Sequence, residues 1–241
     1  MSATINTSAG TQPLDPYKSK NTQDPPLQQK IEDLVNFIKE VKYGMLTTKL
    51  STENDLLSSR CMALAGQVSK PYGILPCQLP GNSLTYKQEH SGIDLLFHTN
   101  LFSSKTLDLS IHPTETNMSF LDPVSGSWAS ISGTAHIVSD PETVQKWYTP
   151  SLKAWLGDLG DGVHDGGPND PRIGIIRLEA KLVTYAVARK GMVERAYESV
   201  KGAATGDVPE INSLRELREP ELNECKLGLL SRLYLTLLTG W

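Results

Sequence analysis

Hydrophobic residues recur at helical spacing in one segment near the start of the chain. In Leu27–Val41 (LQQKIEDLVNFIKEV), Ile31, Leu34, Val35 and Ile38 form a single stripe, and charged residues occupy the opposite side. The pattern therefore predicts an amphipathic helix, after which the spacing of the apolar residues changes to that of strands.

Six short runs with strand character follow this helix, and most are bounded by Gly, Pro, Asn or Asp. The predicted strands are Tyr43–Leu50, Ser58–Gly66, Ile93–Thr99, Thr116–Leu121, Trp128–Val138 and Ile173–Val187. Short helices are predicted at Ser103–Leu109, which begins with serine caps, and at Pro141–Trp147, which follows the N-cap Asp140. Many strands with few crossover helices favour an antiparallel barrel over a doubly wound parallel sheet.

Both ends of the chain depart from this pattern. Residues 1–24 are rich in Ser, Thr, Asn, Gln and Pro, which predicts a disordered tail, and they lack the features of a signal peptide or presequence. Residues 25–190 are assigned to the barrel domain and 191–225 to a C-terminal extension that is weakly structured after Lys190. Residues 226–241 (KLGLLSRLYLTLLTGW) form an apolar tail too short to span a bilayer. This tail is interpreted as a membrane-touching or partner helix, or as a gene-model error.

An internal segment, Val68–Gln88, interrupts what otherwise reads as a hairpin of two strands. Its first residues, Val-Ser-Lys, can be encoded as a 5′ splice site, and Leu-Thr near its end can be encoded as a branch point. We hypothesise a retained intron that is translated in frame. The alternative is a genuine surface loop, because long insertions are well tolerated. Sequencing the spliced transcript decides between them, since an mRNA that still encodes the segment contradicts the hypothesis.

Length and composition indicate one globular domain with appendages. The chain has 241 residues, 39% of them hydrophobic and 21% charged. A net charge of −4 and a pI near 5.8 give no indication of a nucleic-acid-binding face. Three cysteines without CxxC spacing (Cys61, Cys77 and Cys225) argue against a disulfide framework and a zinc knuckle. We therefore expect a cytosolic protein in a reducing compartment.

The familiar catalytic motifs are missing from the sequence. There is no GxSxG elbow, HExxH, Walker loop, or GxGxxG after a strand, and the five histidines lack metal-ligand spacing. The Gly157–Arg172 loop contains four aspartates, but their order does not match a calcium-binding loop. They are interpreted as solvated turn residues.

An anion site is the one chemical feature that the residues themselves suggest. Arg60 lies in a predicted strand, and Ser103-Ser104-Lys105 opens a helix directly after another strand. Free N–H groups at a helix start, hydroxyls and a lysine suit a phosphate, and an arginine adds a bidentate contact. The alternative is an ordinary solvated arginine and a simple serine cap.

Several motifs in the same order resemble the strands of a flavin-binding split barrel. They are GMLTTK (44–49), SRCMALA (59–65), LLFHTN…SSK…DL (95–109), SGSWASISGTAHIVSD (125–140) and KAWLGDLGDGVHDGGPNDPRIGIIRL (153–178). The chain resembles the fungal blue-light-inducible proteins, in the general-stress-protein branch of the pyridoxamine-phosphate-oxidase-like superfamily. The resemblance covers residues 15–222 apart from the inserted segment. It implies a mainly β, six-stranded antiparallel Greek-key barrel with flanking helices.

The resemblance implies that FMN is the cofactor and assigns residues to its phosphate end. Arg60 and Lys105 would hold the phosphate, and Ser104 at the helix start would help. His98 and Thr99 would contact the ring system and the phosphate region.

The resemblance also assigns residues to the flavin ring and implies a homodimer with the flavin at the subunit interface. The backbone at Cys61, Met62 and Ala63 would run along the isoalloxazine edge. Trp128, often from the second subunit, and Trp155 would cover the ring. Both tryptophans could equally be core aromatics, because Trp is usually well buried.

Departures from the true pyridoxamine-phosphate oxidases limit the function. Ala65 stands where those enzymes carry a substrate-contacting lysine, and their C-terminal Arg/His motif has no counterpart here. Oxidation of vitamin B6 is therefore not expected. The alternatives left are a stress-related flavin-dependent oxidoreductase, with a nicotinamide nucleotide as a candidate reductant, a non-catalytic FMN-binding, sensing or storage protein, and a dimeric binding module with no flavin.

Overall fold

The computed structural model describes residues 15–52, 55–68 and 93–223. The helices are α1 (Pro16–Asn21), α2 (Leu27–Val41), α3 (Ser104–Ile111), α4 (Pro141–Trp147), α5 (Leu152–Leu156) and α6 (Met192–Thr205). The strands are β1 (Tyr43–Lys49), β2 (Leu57–Val68), β3 (Asp94–Asn100), β4 (Thr116–Leu121), β5 (Trp128–Val138), β6 (Ile173–Ala188) and β7 (Asn212–Arg218). A short helical stretch at 219–223 ends the described part.

Six of the strands close into an antiparallel barrel. The order around it is β3-β2-β1-β4-β5-β6, and β6 returns to pair with β3, for example Leu95 opposite Leu178. β4 lies beside β1 after the three consecutive strands, which is a Greek-key arrangement. The six-stranded antiparallel barrel predicted from the sequence is therefore confirmed.

β6 is long enough to close the barrel with one half and to pair with an additional strand with the other. Its first half lies between β3 and β5, so residues from Ile173 to Ala180 are all buried. Its second half pairs with β5 on one side and with β7 on the other, from Leu182 opposite Arg218 to Ala188 opposite Asn212. β7 thus extends the sheet beyond the barrel.

The barrel interior is filled by the side chains that alternate inward along each strand, as strand geometry requires. In β1, for example, Leu46 is fully buried, while its neighbour Met45 is exposed. The apolar stripe of α2 packs against this core through Leu34 and Ile38. The Tyr185 hydroxyl on β6 donates a 2.6 Å hydrogen bond to a carbonyl of the same helix, which fixes the helix on the barrel.

A second apolar cluster lies outside the barrel, where α4 covers the other face of β3. Leu96 of β3 packs there with Trp147 and Val144 of α4 and with Ile175. Gly66 is required at this contact, because a Cβ at that position would lie 2.3 Å from the Trp147 ring. α4 therefore packs closely against the sheet beside the end of β2.

The structure differs from the sequence expectations near both ends of the chain. Part of the predicted disordered tail, Pro16–Asn21, forms α1, and Asn21 is buried. The stretch after Lys190, expected to be weakly structured, contains α6 and β7. β7 was missed because its apolar residues are few, and its pairing with β6 rather than its composition makes it a strand.

Two hypotheses concern residues outside the described ranges. Of the Val68–Gln88 segment, only Val68 is described, and it pairs with Asp94 at the end of the β2–β3 hairpin. The Lys226–Trp241 tail also lies outside the described residues. Within the described ranges, no helix has both the length and the apolar character needed to cross a bilayer.

Candidate functional site

A split between β2 and β3 is the structural feature that creates the candidate site. β3 pairs with β2 only from Leu64 onward, opposite Phe97. Residues Leu57–Ala63 of β2 pair with β1, and His98–Asn100 of β3 pair with β6, but the described residues provide no strand between these two stretches. Each strand therefore presents backbone N–H and C=O groups toward the split.

Arg60 lies on the β2 side of this split. Strand alternation turns it toward the barrel, whereas Ser59 and Cys61 on either side are exposed. Its guanidinium donates 3.2 Å hydrogen bonds to the hydroxyls of Thr48 and Ser58 and reaches the Asp108 carboxylate at 3.4 Å. The arginine is thus held at the end of β1 and β2, next to α3.

α3 begins on the other side of the split, directly after β3. Ser103 is its N-cap, and the Lys105 ammonium donates a 3.0 Å hydrogen bond to the Ser103 hydroxyl. Thr99 of β3 and Thr106 of α3 share a buried hydroxyl contact of 3.2 Å. The first amides of an α-helix lack intrahelical partners, so the helix start offers N–H donors, hydroxyls and an ammonium group together.

Arg60 and Lys105 form a cation pair that a single carboxylate only partly neutralises. Burial lowers the pKa of Lys105, and the positive charge of Arg60 lowers it further. Although burial alone would raise the pKa of Asp108, hydrogen bonds from Ser51 and Arg60 hold that pKa below its usual value. Asp108 is therefore ionised, but the described residues give Lys105 no carboxylate partner.

This donor set fits a phosphate monoester. Two cations, one of them a guanidinium that can bind two oxygens, face hydroxyls and the open amides of a helix start. A dianion between them would offset both the burial and the repulsion from Arg60 that lower the Lys105 pKa. Sequence reasoning selected Arg60, Ser104 and Lys105 but missed Thr48 and Asp108, because only the fold brings β1 and the second turn of α3 to them.

The structure separates His98 from Thr99. Neighbouring residues of a strand point to opposite faces, and Thr99 joins the helix start while His98 turns toward α4. There His98 Nε2 lies 2.7 Å from the Trp147 carbonyl oxygen, and burial lowers the pKa of His98. The ring is therefore neutral near pH 7 and is held by the structure on that side of the sheet.

Cys61, Met62 and Ala63 lie in the stretch of β2 that borders the split. Cys61 and Ala63 point to the outside of the sheet, opposite Met45 and Tyr43 of β1, and Met62 points inward against the core. Their backbone groups on the side away from β1 are those that the split leaves open. The predicted backbone contacts to a ring are therefore geometrically available.

The two tryptophans do not meet the cation pair within one chain. Trp128 begins β5, which lies three strands from β2 around the barrel, or about 14 Å at the usual spacing. It is half-buried on the outside of the sheet, opposite Leu121. Trp155, on α5, is 87% exposed.

The aspartate-rich loop after α5 is held together by its own hydrogen bonds. Asp170 forms a buried ion pair with Arg172 at 2.6 Å, and Arg172 in turn donates to the carbonyls of Leu156 and Gly157. Asp161 accepts from the backbone of Val163 and His164. Across the part of the chain that the structure describes, no three His, Cys, Asp or Glu side chains converge as a metal site.

Comparison with known proteins gives matches over most of the chain. The sequence model of the family described as "Pyridoxamine 5'-phosphate oxidase like" matches residues 83–210. Protein bli-3 of Neurospora crassa is 45% identical over 218 residues, which cover 90% of this chain and 93% of that protein.

Similar solved structures include proteins described as general stress protein 26. The candidate general stress protein 26 of Jannaschia sp. CCS1 superposes with a TM-score of 0.50 at 16% identity, over 79% of this chain and 99% of that one. General stress protein 26 of Bacillus anthracis str. Sterne gives a TM-score of 0.46 at 20% identity, over 65% of this chain and 93% of that one. At 16% identity, the Jannaschia match concerns the fold.

Proposed function

Because the chain belongs to the pyridoxamine 5'-phosphate oxidase-like family, we propose that it binds FMN in the split between β2 and β3. We further propose that it acts as a stress-related flavin-dependent oxidoreductase in the cytoplasm. The observation that carries the proposal is the under-neutralised cation pair, Arg60 and Lys105, at the split. These two side chains provide more positive charge than Asp108 offsets.

The phosphate of FMN would lie between the two sides of the split. Arg60 would bind it from β2, and Lys105 and the amide of Ser104 would bind it from the start of α3. Asp108 would orient Arg60, because its carboxylate already holds the guanidinium and the Ser51 amide. The phosphate end would thus be fixed before the ring is placed.

The isoalloxazine ring would lie along the open edge of β2. Backbone groups at Cys61, Met62 and Ala63 would supply donors and acceptors to its polar edge, as β-strand edges do for any extended partner. When bound, FMN supplies the hydride and electron chemistry, and the protein supplies position and electrostatics. A site of this kind requires no acid–base pair from the chain.

The proposed assembly is a homodimer with the flavin at the subunit interface. Arg60 faces the barrel side of β2, whereas Trp128 lies on the outside of the sheet three strands away. This arrangement favours a contact in which the Trp128 that covers the flavin comes from a second copy, packed against the outside of the first.

The test is reconstitution followed by anaerobic reduction. Purified protein is titrated with FMN and with riboflavin, which lacks the phosphate, and flavin fluorescence is recorded. We expect FMN to bind at least tenfold more tightly, since a charge-assisted phosphate contact contributes about 1.5–3 kcal/mol. Failure to bind either flavin would overturn the proposal.

Reduction then separates catalysis from storage. NADH or NADPH is added to the FMN complex without oxygen, and the visible spectrum is followed. Bleaching of the flavin supports the oxidoreductase, and a yellow protein inert to both nucleotides supports a non-catalytic FMN-binding role. Light scattering at several concentrations tests the homodimer independently of the flavin.

A further inference from the structure

α6 exposes its apolar side and turns its polar side toward its own chain, which is the reverse of an ordinary surface helix. An amphipathic helix normally buries its apolar stripe against its own chain and exposes its polar side. None of the fourteen residues of α6 is buried, and its large apolar side chains are 65–83% exposed. These side chains are Met192, Val193, Tyr197 and Val200.

The polar side of α6 is the side that contacts its own chain. The Arg195 guanidinium lies so close to Gly126 that a Cβ there would be 2.5 Å away, and Arg195 Nε is buried without a hydrogen-bond partner in the described structure. Glu198 pairs with Lys190 at 2.7 Å. Gly202 packs against the backbone after the helix.

Three of the four exposed apolar residues share the other side of the helix. At about 100° per residue, Val193, Tyr197 and Val200 fall within an arc of about 60°, roughly opposite Arg195 and Glu198. Leaving a row of Tyr and Val side chains in contact with water is energetically unfavourable. Exposed apolar patches of this kind mark contact surfaces.

The position of α6 continues the exposed outside of the barrel. Gly126, which Arg195 contacts, lies in the turn between β4 and β5. The residues that flank this turn, Leu121 and Trp128, lie on the outer sheet face, which we define as the side of the sheet that carries Tyr43, Met45, Cys61, Ala63, Leu121 and Trp128. Val124 at the tip of the turn is also exposed.

The exposed area indicates what covers this surface. Tyr43, Met45 and Leu121 expose roughly 300 Å² on the outer sheet face, and the four exposed apolar residues of α6 together expose roughly 500 Å². A standard stable interface buries about 800 Å² per partner. The outer sheet face alone falls short of that area, and the two surfaces together reach it.

We propose that the apolar stripe of α6 packs on the outer sheet face of a second copy of this chain. The inference rests on the proposed homodimer and specifies how it is held. In a two-fold dimer the contact occurs twice, because each copy gives its α6 and receives that of its partner. The contact would bring α6 of one copy to the sheet that carries Cys61 and Ala63 of the other, beside the proposed flavin edge.

The test is a triple variant, Val193→Ser/Tyr197→Ser/Val200→Ser, studied by sedimentation equilibrium. These side chains are exposed in one chain, so the fold should be retained, and circular dichroism checks this. We expect the dimer dissociation constant to rise about a hundredfold, since truncating buried aromatic anchors weakens interfaces most strongly. The matched control, Leu159→Ser/Val163→Ser, removes exposed apolar residues from the loop after α5 and should dimerise like the parent.

The outcomes separate this inference from the proposed function. A dimeric parent whose triple variant dimerises equally well overturns the role of α6 and leaves FMN binding and the dimer standing. A parent that is monomeric at every concentration overturns both the dimer and this inference, whereas failure to bind FMN overturns only the flavin proposal. As a second measurement, a polarity-sensitive dye is attached to Tyr197→Cys in a background whose three native cysteines are replaced by serine. Its emission should shift as the protein dimerises, and a constant spectrum would contradict the contact.

Discussion

Replacing Lys105 by methionine should weaken FMN binding and leave the apoprotein at least as stable as before. The two effects have opposite signs because the ammonium is unfavourable in the free site and favourable once a phosphate is present. Burial and the charge of Arg60 already lower the Lys105 pKa, so keeping this group charged costs free energy of folding. Methionine keeps the aliphatic stem and removes the charge.

The magnitude follows from the contact that is lost. A charge-assisted hydrogen bond to phosphate contributes about 1.5–3 kcal/mol, so FMN affinity should fall by about one to two orders of magnitude. Riboflavin affinity should not change, because riboflavin has the same ring without the phosphate. The ratio of the two dissociation constants, from fluorescence titration, therefore isolates the contribution of Lys105.

The pH dependence provides a second check on the same residue. A lysine with a lowered pKa in the free protein loses its proton as the pH rises through that value, so the preference for FMN over riboflavin should decline there. The decline should be absent in Lys105→Met. Lys39→Met, an exposed lysine on α2, is the matched control. Equal FMN-to-riboflavin ratios in the parent and in Lys105→Met, or a large loss of thermal stability in the apo variant, would refute the reasoning.

Further predictions concern the scaffold. Asp170→Asn removes the charge that binds Arg172, so it should destabilise the fold by about 3–5 kcal/mol at pH 7 in denaturant titration; because the folded-state pKa of Asp170 lies below its usual value, this stabilisation in the parent should be present at neutral pH and decline as the pH falls below about 4. Gly133→Ala should cost more than about 2 kcal/mol, because the new Cβ would lie 1.9 Å from a carbonyl oxygen of β6, whereas Gly191→Ala, which meets open space, should leave the melting temperature unchanged; equal melting temperatures would contradict the close packing. Tyr185→Phe should lower the unfolding free energy by about 0.5–1.5 kcal/mol, since it removes the buried hydrogen bond from the hydroxyl to the Lys30 carbonyl of α2, and an unchanged denaturation midpoint would count against that hydrogen bond.

Local sequence patterns were sufficient for the barrel strands and for α2. The bounds of β4, β5, α2 and α4 agree with the periods of their apolar residues and with caps such as Asp140. Those signals are contained within about ten neighbouring residues, and they are strong because one face of each element is buried. The helix start at Ser103 was equally visible, since capping is a local interaction.

Elements whose structure depends on residues far away in the sequence could not be predicted in this way. β7 is stabilised by pairing with β6, and α6 contains an apolar stripe that none of the described residues covers, so neither reads as a conventional element. His98 and Thr99 look equivalent in the sequence, but strand alternation sends them to opposite faces once β3 is placed.

The sequence by itself determined the succession of the six barrel strands along the chain, the family, and the three residues, Arg60, Ser104 and Lys105, that suit a phosphate. Only the tertiary structure decided that β2 and β3 pair no earlier than Leu64 of β2, that Asp108 and Thr48 orient Arg60, and that Lys105 has no carboxylate partner among the described residues. The physical reason is the distance along the chain over which each interaction acts. Periodicity and capping arise between neighbours in the chain, whereas an electrostatic site depends on which charges the closed barrel brings within a few ångströms of each other.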